Sequence, residues 1–169
     1  MLDFLRKSPR FANTEFAGLA RMLTGDAANP VWKRELLDQA QLDFSLESLR
    51  HLDAYLETIH GERPQTDDEL NRVVMRCGAY VGEVIRKNSS VKLNWAAFKE
   101  AAKFSDYLND MGFSAGTAGI LWADAKTMCF PISKVGKLIE NGPEDSVYGF
   151  ARVIIQQLEN KNNPPKKHE

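Results

Sequence analysis

TDDELNRVVMRCGAYVGEVIRKN, residues Thr66–Asn88, is the stretch on which the fold turns. Thr66 followed by Asp67, Asp68 and Glu69 is a T-x-x-E capping box, with extra acid at the positive end of the helix dipole. At about 100° per residue, Leu70, Val73, Val74, Cys77, Val81, Val84 and Ile85 fall within an arc of roughly 120°. This predicts a long helix with one core face. Gly78 and Gly82 lie at an edge of that arc, one turn apart. A glycine inside a helix costs about 1 kcal/mol relative to alanine, so a compensating close approach to the backbone is expected. A G-x-x-x-G spacing in an apolar stretch of ~20 residues points to membrane dimerisation, but Arg72, Arg76, Glu83, Arg86 and Lys87 exclude that here. Two readings follow: tight packing within the chain, or a homodimer formed along the glycine edge.

Working outward toward the N-terminus, Leu42, Leu46, Leu49, Leu52, Leu56 and Ile59 recur at helical spacing and predict a helix from about Leu46 to His60, stopped by Gly61 and Pro64. Before it, PVWKRELLDQAQ has Pro30 at a first helical turn and offers Trp32, Leu36 and Leu37 for burial. Trp32 reads as packing or as an exposed partner anchor. Asn13 or Thr14 is placed to cap a short helix striped by Phe16, Leu19, Ala20 and Leu23, with Gly25 as its stop. The opening residues to Arg10 read as loosely ordered.

Beyond Asn88, the alternation of Leu93, Trp95 and Ala97 predicts a strand through about Ala97, followed by a helical piece from Phe98 to Leu108. FSAGTAG reads as a loop. A hairpin follows, with Ile120 to Trp122 and Thr127 to Phe130 as its arms. ISKVGKLIENG predicts a short helix with Ile132, Val135 and Ile139 buried and Gly142 as its stop. Pro143 opens a last helix, whose buried face is Val147, Phe150, Ala151, Ile154 and Leu158. From Asn160 the tail NKNNPPKKHE lacks apolar residues and reads as disordered. The expectation is an α+β protein: residues 1–44 as an N-terminal helical extension, 45–159 as the α+β domain with a small antiparallel sheet packed by central and C-terminal helices, and 160–169 as tail.

With 169 residues, a net charge of −1 and two cysteines, composition excludes more than it identifies. The charge gives no general case for nucleic acid or an acidic membrane, and no apolar run approaches a membrane span. The first residues are too weakly apolar for a secretory signal, which makes the cytoplasm the expected location. Cys77 and Cys129 read as buried free thiols rather than a disulfide. His51, His60 and His168 lack metal-ligand spacing, so neither metal nor cofactor is expected. No G-x-S-x-G elbow, phosphate loop or G-x-G-x-x-G is present, and no catalytic residue is assigned. Lys134, Lys137 and Arg152 suggest a basic patch, but Glu140, Glu144 and Asp145 interleave with them. Glu83 is the most tempting acid. It reads either as part of a solvated stripe with Arg72, Arg76, Arg86 and Lys87, the last its favoured i+4 partner, or as the group that fixes a buried backbone or the Trp95 indole.

GAYVGEVI, Trp95, ILW, CFP, SKVGKLIENG and EDSVYGFARVII together resemble a set of uncharacterised bacterial α+β domains, over roughly Leu70 to Ile155. The resemblance implies a fold and assigns no activity. Similar small domains occur among bacterial immunity and interaction proteins, which implies a non-enzymatic chain that binds a cognate protein. The alternative is a small-ligand domain or enzyme with a pocket between sheet and central helix, lined by Glu83, Trp95 and Trp122.

Overall fold

A computed structural model describes residues 7–162. The central helix forms as its capping box predicts: α3 spans Asp67–Asn88, and the Thr66 side chain accepts a hydrogen bond from the Glu69 backbone N–H. Before it come α1 (Asn13–Gly25) and α2 (Ser48–Gly61); after it come β1 (Asn94–Ala97), the short helices α4 (Phe98–Ala101) and α5 (Asp106–Met111), β2 (Gly119–Asp124), β3 (Thr127–Cys129), α6 (Pro131–Asn141) and α7 (Val147–Asn162). The fold is α+β, with a three-stranded antiparallel sheet in the order β1-β2-β3.

Every residue of α3 from Arg76 to Ile85 is buried. The arc that predicts its core face is therefore too narrow, because α1, α6 and α7 all pack around this helix. A helix covered on several sides must bury whatever its sequence places there. The glycine pair makes that covering possible. A Cβ built on Gly78 would lie 2.6 Å from the Ile132 Cα, and one on Gly82 would lie 2.0 Å from the Trp95 ring. Close packing within the chain is thus the role of both glycines, and the glycine edge is not available for a homodimer.

Alternation along the strands sorts the sheet into two faces. Trp95, Leu121 and Cys129 join the main core against the helices. Ala96, Ile120 and Trp122 form a second, smaller cluster with Ala101 and Leu108, covered by the segment from Phe98 to Met111. The helical piece predicted from Phe98 to Leu108 is in fact two short helices joined by a 3-10 turn at Ala102–Phe104.

Four further expectations are corrected. PVWKRELLDQAQ is not a helix: Lys33 adopts φ 51, in the left-handed region, and only 3-10 turns at Arg34–Leu36 and Gln39–Gln41 follow. Its apolar residues do not share a helical face, since Val31 and Leu37 are buried while Leu36 is 51% exposed. Asn13 does not cap α1 through its side chain; that side chain is used on the sheet instead. In α7, Ile155 is buried where Ile154 was expected, and Phe150 is half-buried. The helix also continues to Asn162, past the predicted end, while the remainder of the expected tail lies outside the described residues.

A carboxylate from α2 finishes α7. Asp53 accepts from the Val147 backbone N–H at 2.7 Å and from the Ser146 hydroxyl at 2.6 Å. The exposed N–H groups of a helix start are satisfied by a side chain 94 residues earlier.

Candidate functional site

The three side chains singled out in the sequence do not meet in one pocket. Glu83 is buried, and its Oε1 accepts from the Trp95 indole N–H at 2.8 Å and from Arg86 at 2.6 Å. The partner is Arg86 at i+3 rather than Lys87. Trp95 is fully buried, stacked on Phe16 with centroids 4.4 Å apart, and its ring fills the notch above Gly82. Trp122 lies on the opposite face of the sheet, in the second cluster. The space between sheet and α3 is thus occupied by the Trp95 ring itself.

Within the remaining charged stripe of α3, Arg76 is also buried, while Lys87 is exposed. Arg76 is 5% exposed, and its guanidinium donates to Asp26 and to the Asn29 carbonyl, both at 2.7 Å, and to the Met22 carbonyl. The Asn29 backbone N–H and the Arg76 guanidinium hold the Asp26 carboxyl below its ordinary value. These are links that fasten α1 and its following loop to the core. Burying a charge requires such a full set of partners. Trp32 is half-buried against the core, and its indole N–H is enclosed without an acceptor.

The two edges of the sheet differ. The outer edge of β1 is paired by the chain before α1: Phe11 bridges Ala96, Ala12 N–H donates to the Trp95 carbonyl at 2.8 Å, and the Asn13 side chain accepts from Trp95 N–H at 2.7 Å. At the other edge, no described segment makes a backbone hydrogen bond to the outer side of β3. An open edge presents alternate N–H and C=O groups to any extended chain that approaches it.

A groove follows this open edge on the side of α7. Near the hairpin turn it forms a hollow of about 190 Å³ whose walls include Lys126, Thr127, Ile154, Leu158 and Lys161. Toward α6 it widens into one of about 340 Å³, bordered by Phe130, Ser133, Lys134, Lys137 and Phe150. Met128, Cys129 and Ile154 line both. Four lysines and no carboxylate stand among the described lining residues. Lys134 is held by Asp145 at 2.5 Å, so the interleaved acid expected from the sequence does reach it. Lys161 donates to the Thr127 hydroxyl at 3.1 Å and so stands beside the strand.

Little in the groove suggests covalent chemistry. Burial pushes the Cys129 thiol up to about 12 and raises Cys77 further, and a protonated thiol is a poor nucleophile. Both cysteines are free and buried. No group of His, Cys, Asp and Glu among the described residues is placed to hold a metal ion, and no described helix is long and apolar enough to cross a membrane.

The site was only partly visible in the sequence. The sequence suggests a patch at Lys134 and Lys137; that they join Lys126 and Lys161 depends on how α6 and α7 pack beside the hairpin. The one local signal was the shortness of the second hairpin arm, cut by Pro131, which marks a sheet edge. No family model, no curated protein and no solved structure matches the chain.

Proposed function

We propose that this chain is a non-enzymatic protein-interaction domain that takes up an extended segment of a cognate protein along the open edge of β3. The observation that supports this reading is the contrast in edge treatment: among the described residues, the chain seals one sheet edge with its own backbone and leaves the other unpaired beside a formed groove. Strand addition to such an edge draws affinity from main-chain hydrogen bonds and specificity from the hollows beside it. In the setting implied by the resemblance, the cognate protein is a bacterial toxin or a regulated partner, and the chain acts as its immunity or regulatory protein.

Selection of displayed random peptides on the full-length protein tests the reading, with amide hydrogen exchange as the readout. Enriched peptides should slow exchange at the β3 amides of residues 127–129. Enrichment of nothing, or protection confined to another surface, would overturn it.

A further inference from the structure

Resting on that reading, we infer that the segment taken up at β3 is acidic, with carboxylates toward its two ends and an apolar side chain between them. Lys126 and Lys161 stand at the hairpin end of the groove, and Lys134 and Lys137 at the α6 end, where Lys134 is paired with Asp145 and Lys137 carries the charge open to a ligand. Between these pairs the wall is apolar, built from Met128, Cys129 and Ile154. An added strand rises about 3.4 Å per residue and turns alternate side chains to one face. A segment of about five residues thus spans β3, with its first, third and fifth side chains toward α7. The first and fifth then meet the lysines and the third meets Ile154.

The chain as a whole has a net charge of −1, so this run of lysines is a local feature and not a consequence of a basic composition. It also argues against a second copy of this chain as the occupant. Two β3 edges paired antiparallel would bring Lys126 and Lys161 of one copy toward the α6 end of the other, where Lys137 stands. Like charges opposed in this way disfavour pairing.

The test uses the intact protein and three probes, followed by two-dimensional amide spectra. The first is the peptide Thr-Glu-Thr-Val-Thr-Glu-Thr, blocked at both ends. The others are the same peptide with Lys in place of Glu, and with Gln in place of Glu. The acidic peptide should give saturable shifts at residues 127–129, and its affinity should fall as salt is raised. Lys126→Glu with Lys137→Glu should weaken it about tenfold. Both side chains are exposed, so the variant should fold, which its amide spectrum reports directly.

Equal binding of all three peptides at β3 would overturn the acidic preference while leaving strand addition intact. Tighter binding of anionic vesicles or of a single-stranded oligonucleotide, with shifts at the lysines and none along β3, would show a general polyanion surface and also overturn it. Lysines that serve only to keep the edge from aggregating would leave every peptide unbound. In that case both readings fall.

Discussion

The two edges of the sheet show opposite solutions to one physical problem. At β1 the unpaired backbone is closed by Phe11, Ala12 and Asn13, and the side chain behind it, Trp95, is held by Glu83 and stacked on Phe16. At β3 no described residue closes the backbone, and lysines stand along it. The first edge is woven into the core. The second is tied to it by Cys129 and by pairing with β2, and only its outer side lacks a described partner. Stability is expected to reside in one and binding in the other, because an edge that exchanges partners must not be needed for folding.

The largest effect should come from breaking the sealed side at its centre. Trp95→Ala removes a fully buried ring that fills the Gly82 notch, and denaturant unfolding should show a loss of about 3–5 kcal/mol. Glu83→Ala comes next. It leaves the Trp95 indole N–H and Arg86 without their acceptor, for a loss of about 2–4 kcal/mol. Glu83→Gln, which retains an acceptor for the indole, should lose distinctly less by the same measurement. If both substitutions were equal, charge rather than the hydrogen bond would be what matters there.

Smaller effects sharpen the contrast. Asn13→Ala opens the seal on β1 without touching the core, and about 1–2 kcal/mol should be lost, with faster amide exchange at Trp95. Lys134→Ala tests the pair beside the groove through its pH dependence. The Lys134 side chain, then Asn141, holds the Asp145 carboxyl below its ordinary 3.8. A carboxyl lowered on folding stabilises the native state above its unfolded value, and that contribution is lost as pH falls through its folded one. The stability gap between wild type and variant should therefore be present at neutral pH and close below pH 3.8. Smallest of all, Lys161→Ala at the open edge should alter stability by less than about 0.5 kcal/mol. A large loss there would erase the distinction between the edges.

Much of the architecture was written in local signals. The T-x-x-E box at Thr66, the leucine spacing before Gly61, and the hairpin arm cut by Pro131 each specify an element within a few residues of its observed bounds. What was hidden is long-range. Nothing near Arg76 indicates burial, because the groups that satisfy it come from Asp26 and Asn29. For Glu83, burial against the Trp95 indole is one of the two readings the sequence leaves open, and the fold decides between them. Asn13 looked like a helix cap because its competing use, the Trp95 backbone, lies 82 residues away. The stretch from Pro30 to Gln41 misled for a different reason: Pro at a first turn allows a helix but does not require one, and Lys33 turns the chain out of it. The groove was the least legible part, since it is made by the gap between elements rather than by any one of them.

The two notches of α3 also bear on how this chain can drift over generations. Gly82 and Trp95 are complementary shapes in contact, as are Gly78 and Ile132. A methyl group gained at either glycine has no room unless its occupant shrinks or withdraws. Substitutions at these positions should therefore be inherited in couples: a side chain at 82 together with a smaller residue at 95, and a side chain at 78 together with a displaced or smaller residue at 132. Descendants of a common ancestor that changed one member alone would have passed through an intermediate that folds poorly, so the pairs should survive together or be exchanged together.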